Sequence, residues 1–175
     1  GVDVYLNHGG TLAETPSWSS DGFFTFALDL GDMDGDGALD LAVAVGEAYY
    51  NEPDVSLVFV NDGFGDFGTT PAWSSDVPRF SFDVAWADLL GDARLDLVLA
   101  NQAHGHVIFE NTDGMLAAEP AWTASGPVTD FEGNTLDVGD VSGDGYNDLV
   151  VSDNLQLGGV GRVRMWCGPV FELCW

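Results

Sequence analysis

Short runs of apolar residues alternating with polar ones fill this 175-residue chain, broken at intervals by Gly, Asn, Asp and Pro. Alternation of period two predicts strands, and helical periodicity is almost absent, so the chain is expected to be all-β. The pattern places strands at residues 24–30, 39–45, 56–61 and 71–74. A second set is expected at 82–86, 95–100, 107–111 and 121–124. A third falls at 135–138, 148–152, 163–166 and, shortened, 171–175. Ahead of them stand a strand-like segment at 2–7 and another around Trp18.

The sets are copies of one unit. Pro16-Ser17-Trp18, Pro71-Ala72-Trp73 and Pro120-Ala121-Trp122 recur in step. So do Val4-Tyr5-Leu6-Asn7, Val58-Phe59-Val60-Asn61 and Ile108-Phe109-Glu110-Asn111. An acidic loop follows the first strand of each set, starting at Asp32, Asp88 and Asp140, with spacings of 56 and 52 residues. Four strands per repeat of slightly more than fifty residues predict β-propeller blades within a single domain. The expected layout is a partial blade at about 1–20, then four-stranded antiparallel blades at about 21–76, 77–126 and 127–175. Three and a half blades do not close a ring. The chain is therefore expected to be a fragment of a larger propeller, or to be completed by oligomerisation. Self-association through the terminal strands is one such route, because a strand at 2–7 would carry an unpaired edge.

The first loop, Asp32-Met33-Asp34-Gly35-Asp36-Gly37-Ala38-Leu39-Asp40, alternates four carboxylates through nine residues. Such charges repel unless a cation or open solvent relieves them. A hard cation taking six to eight oxygen ligands fits, and calcium is the expected cofactor. The third loop, Asp140-Val141-Ser142-Gly143-Asp144-Gly145-Tyr146-Asn147-Asp148, is similar. The second, Asp88-Leu89-Leu90-Gly91-Asp92-Ala93-Arg94-Leu95-Asp96, has Leu90, Ala93 and Arg94 at altered positions.

The loops and the strands after them resemble FG-GAP and VCBS repeats, the calcium-binding blades of integrin α-subunit-like propellers. That family's loop reads D-x-[DNS]-x-D-G-x-x-D before an apolar strand, and the first and third loops fit it throughout. The resemblance implies calcium ligation by the side chains of Asp32, Asp34, Asp36 and Asp40 with the Ala38 carbonyl. In the third loop it implies Asp140, Ser142, Asp144 and Asp148 with the Tyr146 carbonyl, giving two sites. The second loop, with Asp88, Asp92 and Asp96, departs from the pattern and is expected to be empty, Arg94 setting its guanidinium against one of those carboxylates. An EF-hand is excluded, since position twelve is Val43 and a strand follows the loop.

Composition narrows the partners. Twenty-nine acidic residues against four arginines and no lysine give a net charge of −25, so neither nucleic acid nor membrane insertion is expected. No apolar run approaches the ~20 residues of a membrane helix. No signal peptide is apparent and Gly1 stands first, so a mature product or a piece of something longer is expected. Cys167 and Cys174 are expected to form a disulfide in an oxidising, extracellular setting, with free thiols as the alternative. His104 and His106 flank Gly105 and could bind a transition metal, but a loop entering a strand is the plainer reading. Trp18, Trp73 and Trp122 recur once per unit, which favours packing over sugar stacking.

No nucleophile elbow, zinc-protease helix motif or phosphate-cradling loop is present, so an enzyme is not expected. The leading expectation is a secreted or cell-surface, calcium-stabilised binding or adhesion module for a glycan or an extracellular protein. The alternatives are a self-assembling structural subunit of a ring or filament, and a non-catalytic propeller part of a secreted carbohydrate-active enzyme.

Overall fold

The computed structural model describes residues 1–46, 48, 50–126, 132–153, 161–169 and 171–174. Among these residues there is no helix. Strand β1 (Val2–Val4) pairs antiparallel with β4 (Trp18–Ser20), and between them lies a ribbon of β2 (Asn7–His8) and β3 (Thr11–Leu12). The strand expected at 2–7 is thus divided. Gly9 and Gly10, both at positive φ (65° and 94°), make a two-residue turn that folds the chain back on itself.

Three four-stranded antiparallel sheets follow. The first is β5 (Thr25–Gly31), β6 (Asp40–Val45), β7 (Leu57–Phe59) and β8 (Trp73–Ser74). The second is β9 (Phe80–Ala87), β10 (Asp96–Gln102), β11 (Val107–Phe109) and, after a ribbon of β12 (Asn111–Thr112) and β13 (Met115–Leu116), β14 (Trp122–Thr123). The third is β15 (Gly133–Gly139), β16 (Asp148–Asp153), β17 (Arg162–Cys167) and β18 (Glu172–Leu173). Residues 127–131, where the third unit was expected to begin, and Trp175 lie outside the described residues.

The sheets stand side by side, β9 contacting both β5 and β15, and do not close a ring among the described residues. Strands β6 and β10 are buried along both faces because a layer packs on each side of them, which is why Leu41-Ala42-Val43-Ala44-Val45 reads as one apolar run.

Three joints hold the layers together, and each repeats one device. Trp18, Trp73 and Trp122 pack edge-on against Phe59, Phe109 and Trp166 of the next sheet, at centroid distances of 5.2, 4.7 and 5.8 Å. Such pairs contribute about 0.5–1.5 kcal/mol beyond area burial. The Trp18 and Trp73 indoles donate to the Gly68 and Ala117 carbonyls. The tryptophans are packing residues, half-buried or buried.

Near the first strands, Asp29 accepts the Trp86 N–H and Asp83 the Leu136 N–H, both at 2.8 Å, tying each first strand to the next. Each first strand also carries a one-residue bulge at the same height, with Phe26, Phe82 and Asn134 as the extra residues. The rings of Phe26 and Phe82 lie 4.3 Å apart.

Gly31 has a packing reason. A Cβ there would come within 2.6–2.8 Å of the Trp86 ring and Cβ, so Gly31→Ala is expected to lower unfolding free energy by about 1–3 kcal/mol through overpacking. Urea denaturation followed by tryptophan fluorescence measures this. A variant as stable as the parent would mean that Trp86 is free to move.

Candidate metal centre

All three acidic loops share one backbone scaffold, built by their first and ninth residues. Asp32, Asp88 and Asp140 accept N–H groups from three and five residues ahead: Gly35 and Gly37, Gly91 and Ala93, Gly143 and Gly145. The ninth residues, Asp40, Asp96 and Asp148, are fully buried at the start of the second strand. One carboxylate oxygen of each accepts the N–H of Met33, Leu89 and Leu90, or Val141 and Ser142. The other oxygen accepts the N–H of Asn61, Asn111 or Gly168, at the end of the third strand. The ninth aspartate therefore pins the loop to its sheet whether or not a cation is bound. Asp88 and Asp96 build this same scaffold in the second loop, where Leu90 and Ala93 stand at the altered positions.

What separates the loops lies at the third and fifth positions. In the first, Asp32, Asp34 and Asp40 converge, with one carboxylate oxygen from each lying within 4.8 Å of the others. At an effective dielectric of about 20, like charges this close repel by about 3–4 kcal/mol per pair. Burial pushes the Asp40 carboxyl up and the charges of Asp34 and Asp36 add to it, although the Asn61 and Met33 amides work the other way. All-oxygen donors, an excess of negative charge and a buried anchoring carboxylate fit a hard divalent cation. Asp36 is outside this convergent group; its Oδ1 accepts the Ala38 N–H at 2.7 Å.

The third loop puts the Ser142 hydroxyl where the first has Asp34, so it lacks a third converging carboxylate. Burial opposes ionisation of Asp148, but the amides of Ser142, Gly168 and Val141 outweigh it and the carboxyl sits below its ordinary value. Asp144 accepts the Tyr146 N–H at 3.0 Å.

In the second loop, Leu90 packs toward the apolar core between the second and third sheets. Ala93 holds φ 68°, a left-handed conformation that Gly37 and Gly145 adopt without Cβ strain (both 92°). Arg94 bridges Asp92 at 2.7 Å and Asp113 at 3.0 Å. The guanidinium thus meets one of the three expected carboxylates and one that went unforeseen. Asp113 is delivered by the tight turn of the β12–β13 ribbon. Asp96 is raised by burial, with Asp92 adding to the effect.

Adjacent loops are also in contact. The Asn111 side chain donates to the Met33 carbonyl of the first loop at 2.8 Å, and that of Asn147 to the Asp88 carbonyl at 2.8 Å. A Cβ on Gly91 would lie 3.0 Å from the Tyr146 ring, and one on Gly114 3.0 Å from Asp34. The recurring Asn61 and Asn111 were visible in the sequence as strand-terminal residues, but their role in anchoring the acidic loops was not.

The other candidates resolve differently. The sulfurs of Cys167 and Cys174 are 2.10 Å apart, a disulfide. His106 is fully buried: its Nδ1 accepts the Asn101 N–H at 3.1 Å, and its Nε2 lies 3.6 Å from Asp153 Oδ1. The Asp153 carboxylate also meets Arg164 Nε at 3.2 Å. His106 thus belongs to a polar cluster between two sheets, and His104 is on a different path, its Nδ1 3.3 Å from the Gln102 carbonyl.

Residues 88–151 match the family model of the FG-GAP-like repeat. The match runs from the second acidic loop through the third and into β16. No curated protein matches the chain.

Proposed function

We propose, from the match of residues 88–151 to the FG-GAP-like repeat, that the chain is a calcium-stabilised propeller segment serving as an extracellular binding module for a glycan or a surface protein. The observation that carries the calcium reading is the convergence of Asp32, Asp34 and Asp40 within 4.8 Å beside the buried end of β6. FG-GAP-like repeats commonly bind calcium, and the first loop offers the charge and the oxygen donors for it. Calcium cancels the repulsion among the carboxylates and holds the β5–β6 connection in one conformation, so that metal binding and folding are coupled. Asp32, Asp34 and Asp40 hold the first ion, joined by Asp36 and the Ala38 carbonyl as the loop closes on it. Asp140, Ser142, Asp144, Asp148 and the Tyr146 carbonyl hold a second, weaker one. The second loop carries its own cation in Arg94. The acidic surface favours neutral or cationic ligands over anionic ones.

Calorimetric titration with calcium is the test. Two ions per chain are expected, falling to one in Asp34→Ala, with the tighter site lost. No heat at millimolar calcium would sink the metal reading. A glycan array probed in calcium and in chelator then examines the binding role, for which calcium-dependent retention is the expected result.

A further inference from the structure

The joint between the second and third sheets holds a cavity of about 430 Å³, within the range of small-ligand sites. Trp122 of β14 forms one wall, and Trp166, Phe171 and Leu173 form the other, with Arg162 and Arg164 along the same side. Arg162, Arg164 and Trp166 alternate along β17 and so share the strand face turned to β14. By strand pairing, Arg164 stands where the second sheet has Val107 and the first has Leu57. Two residues earlier, Arg162 stands where they have Gly105 and Val55. Two of the chain's four arginines are thus placed in one cavity, at positions that are apolar or glycine in the sister sheets.

The arginines differ in their partners. Arg79 is bound to Asp76, Arg94 to Asp92 and Asp113, and Arg164 Nε meets the buried Asp153 at 3.2 Å. Arg162 makes no ion pair among the described residues, in a chain where 29 acidic residues face four arginines. A second donor is open beside it. The Trp18 and Trp73 indoles donate to main-chain carbonyls, but Trp122, which repeats their packing on the next sheet, makes no such bond among the described residues. Glu172 also borders the cavity, yet it pairs with Cys167, on the face of the sheet opposite to Trp166 and Leu173, so its carboxylate belongs to the other side.

We propose that this cavity binds an organic carboxylate with a flat apolar body, either a small aryl acid or the C-terminal carboxylate of a peptide ending in an aromatic residue. The carboxylate meets Arg162, whose forked donors match its geometry, and accepts the Trp122 indole N–H. The apolar body lies against Trp166, Phe171 and Leu173. Asp153 holds Arg164 from beneath, so Arg164 positions the floor and Arg162 is the arginine that touches the ligand. A neutral ligand would leave Arg162 without a counter-charge, and an inorganic anion would leave the aromatic walls wet. The surface as a whole repels anions, but about 0.15 M salt screens charges beyond roughly 8 Å, so the groups in contact decide the affinity.

The probes are 3-phenylpropionate and a short glycine peptide ending in phenylalanine, each compared with its neutral amide. They are added to the intact protein in millimolar calcium and about 0.15 M salt. Binding is read from the indole N–H resonances by two-dimensional NMR, with the Trp122 signal assigned by its loss in Trp122→Phe. A saturable shift of that signal is expected with the acids. The amides, and the variant Arg162→Gln at an exposed position, are each expected to weaken binding roughly tenfold or more. Saturation by the peptide alone would support the site with a protein C-terminus as its source, and saturation by 3-phenylpropionate would support it with a small acid. Acids and amides that bind alike would overturn the proposal. So would an affinity unchanged by Arg162→Gln, or a Trp122 signal unmoved at about 10 mM of either acid.

Discussion

Excess chelator is expected to lower the thermal midpoint by roughly 10–20 °C relative to millimolar calcium. A ligand at a hundred times its dissociation constant stabilises the folded state by about 2.7 kcal/mol, so two such sites give about 5. For a chain of this size each kcal/mol moves the midpoint by about 2–4 °C. The physical source is local. Without the ion, Asp32, Asp34 and Asp40 face one another within 4.8 Å, and Asp40 is the first residue of β6, against which β5 and β7 register. Magnesium should restore little of the loss, because it demands octahedral geometry and gives up its water reluctantly. Scanning calorimetry in the three conditions is decisive: a midpoint that moves by less than about 2 °C on chelation would end the view that calcium holds this fold.

Asp153→Ala is expected to cost about 3–5 kcal/mol, the range for removing one partner from a buried charged cluster. Asp153 faces both His106 and Arg164, and it also accepts the Glu132 N–H at 3.2 Å. Because His106 Nδ1 accepts the Asn101 N–H, the ring proton lies on Nε2, toward Asp153. Burial pushes the Asp153 carboxyl up, and His106 and Arg164 more than reverse it, leaving it below its ordinary value. The sign follows. A depressed carboxylate contributes stability that is present above the unfolded value of about 3.9 and is lost as pH falls through the folded one. Urea unfolding at neutral pH and near pH 3 should show a smaller acid loss for Asp153→Asn than for the parent. Equal losses would place the acid sensitivity elsewhere.

Most of the strand plan was legible because apolar alternation and turn residues agree along the chain, and because three copies in phase check one another. The β5–β6, β9–β10 and β15–β16 pairs fall on the residues whose pattern predicts them. Two-residue ribbons were not legible, since two residues have no period; β12–β13 rests on the Asp113-Gly114 turn, and with it comes the Arg94 contact to Asp113. The acidic loops could be located from spacing alone. Their division of labour could not, because the burial of Asp40, Asp96 and Asp148 and their amide donors arise only when the third strand is in place. The cluster of His106, Asp153 and Arg164 joins residues 47 and 11 positions apart, with nothing in the local pattern to announce it. The β15–β18 sheet carries the same lesson in another form: Arg164 stands where the equivalent strand position in the second sheet is the buried Val107, a polar choice made for one buried carboxylate.

The bulges at Phe26, Phe82 and Asn134 make one height of the molecule tolerant of errors in chain length. Each is a residue without a cross-strand mate: Thr25 pairs with Val45 and Ala27 with Ala44, leaving Phe26 between them. Deleting it leaves every remaining partnership intact, whereas deleting Leu28 two positions later would invert which face each preceding side chain presents. Single-residue indels in the first strands should therefore survive at this level and be rejected closer to the acidic loops.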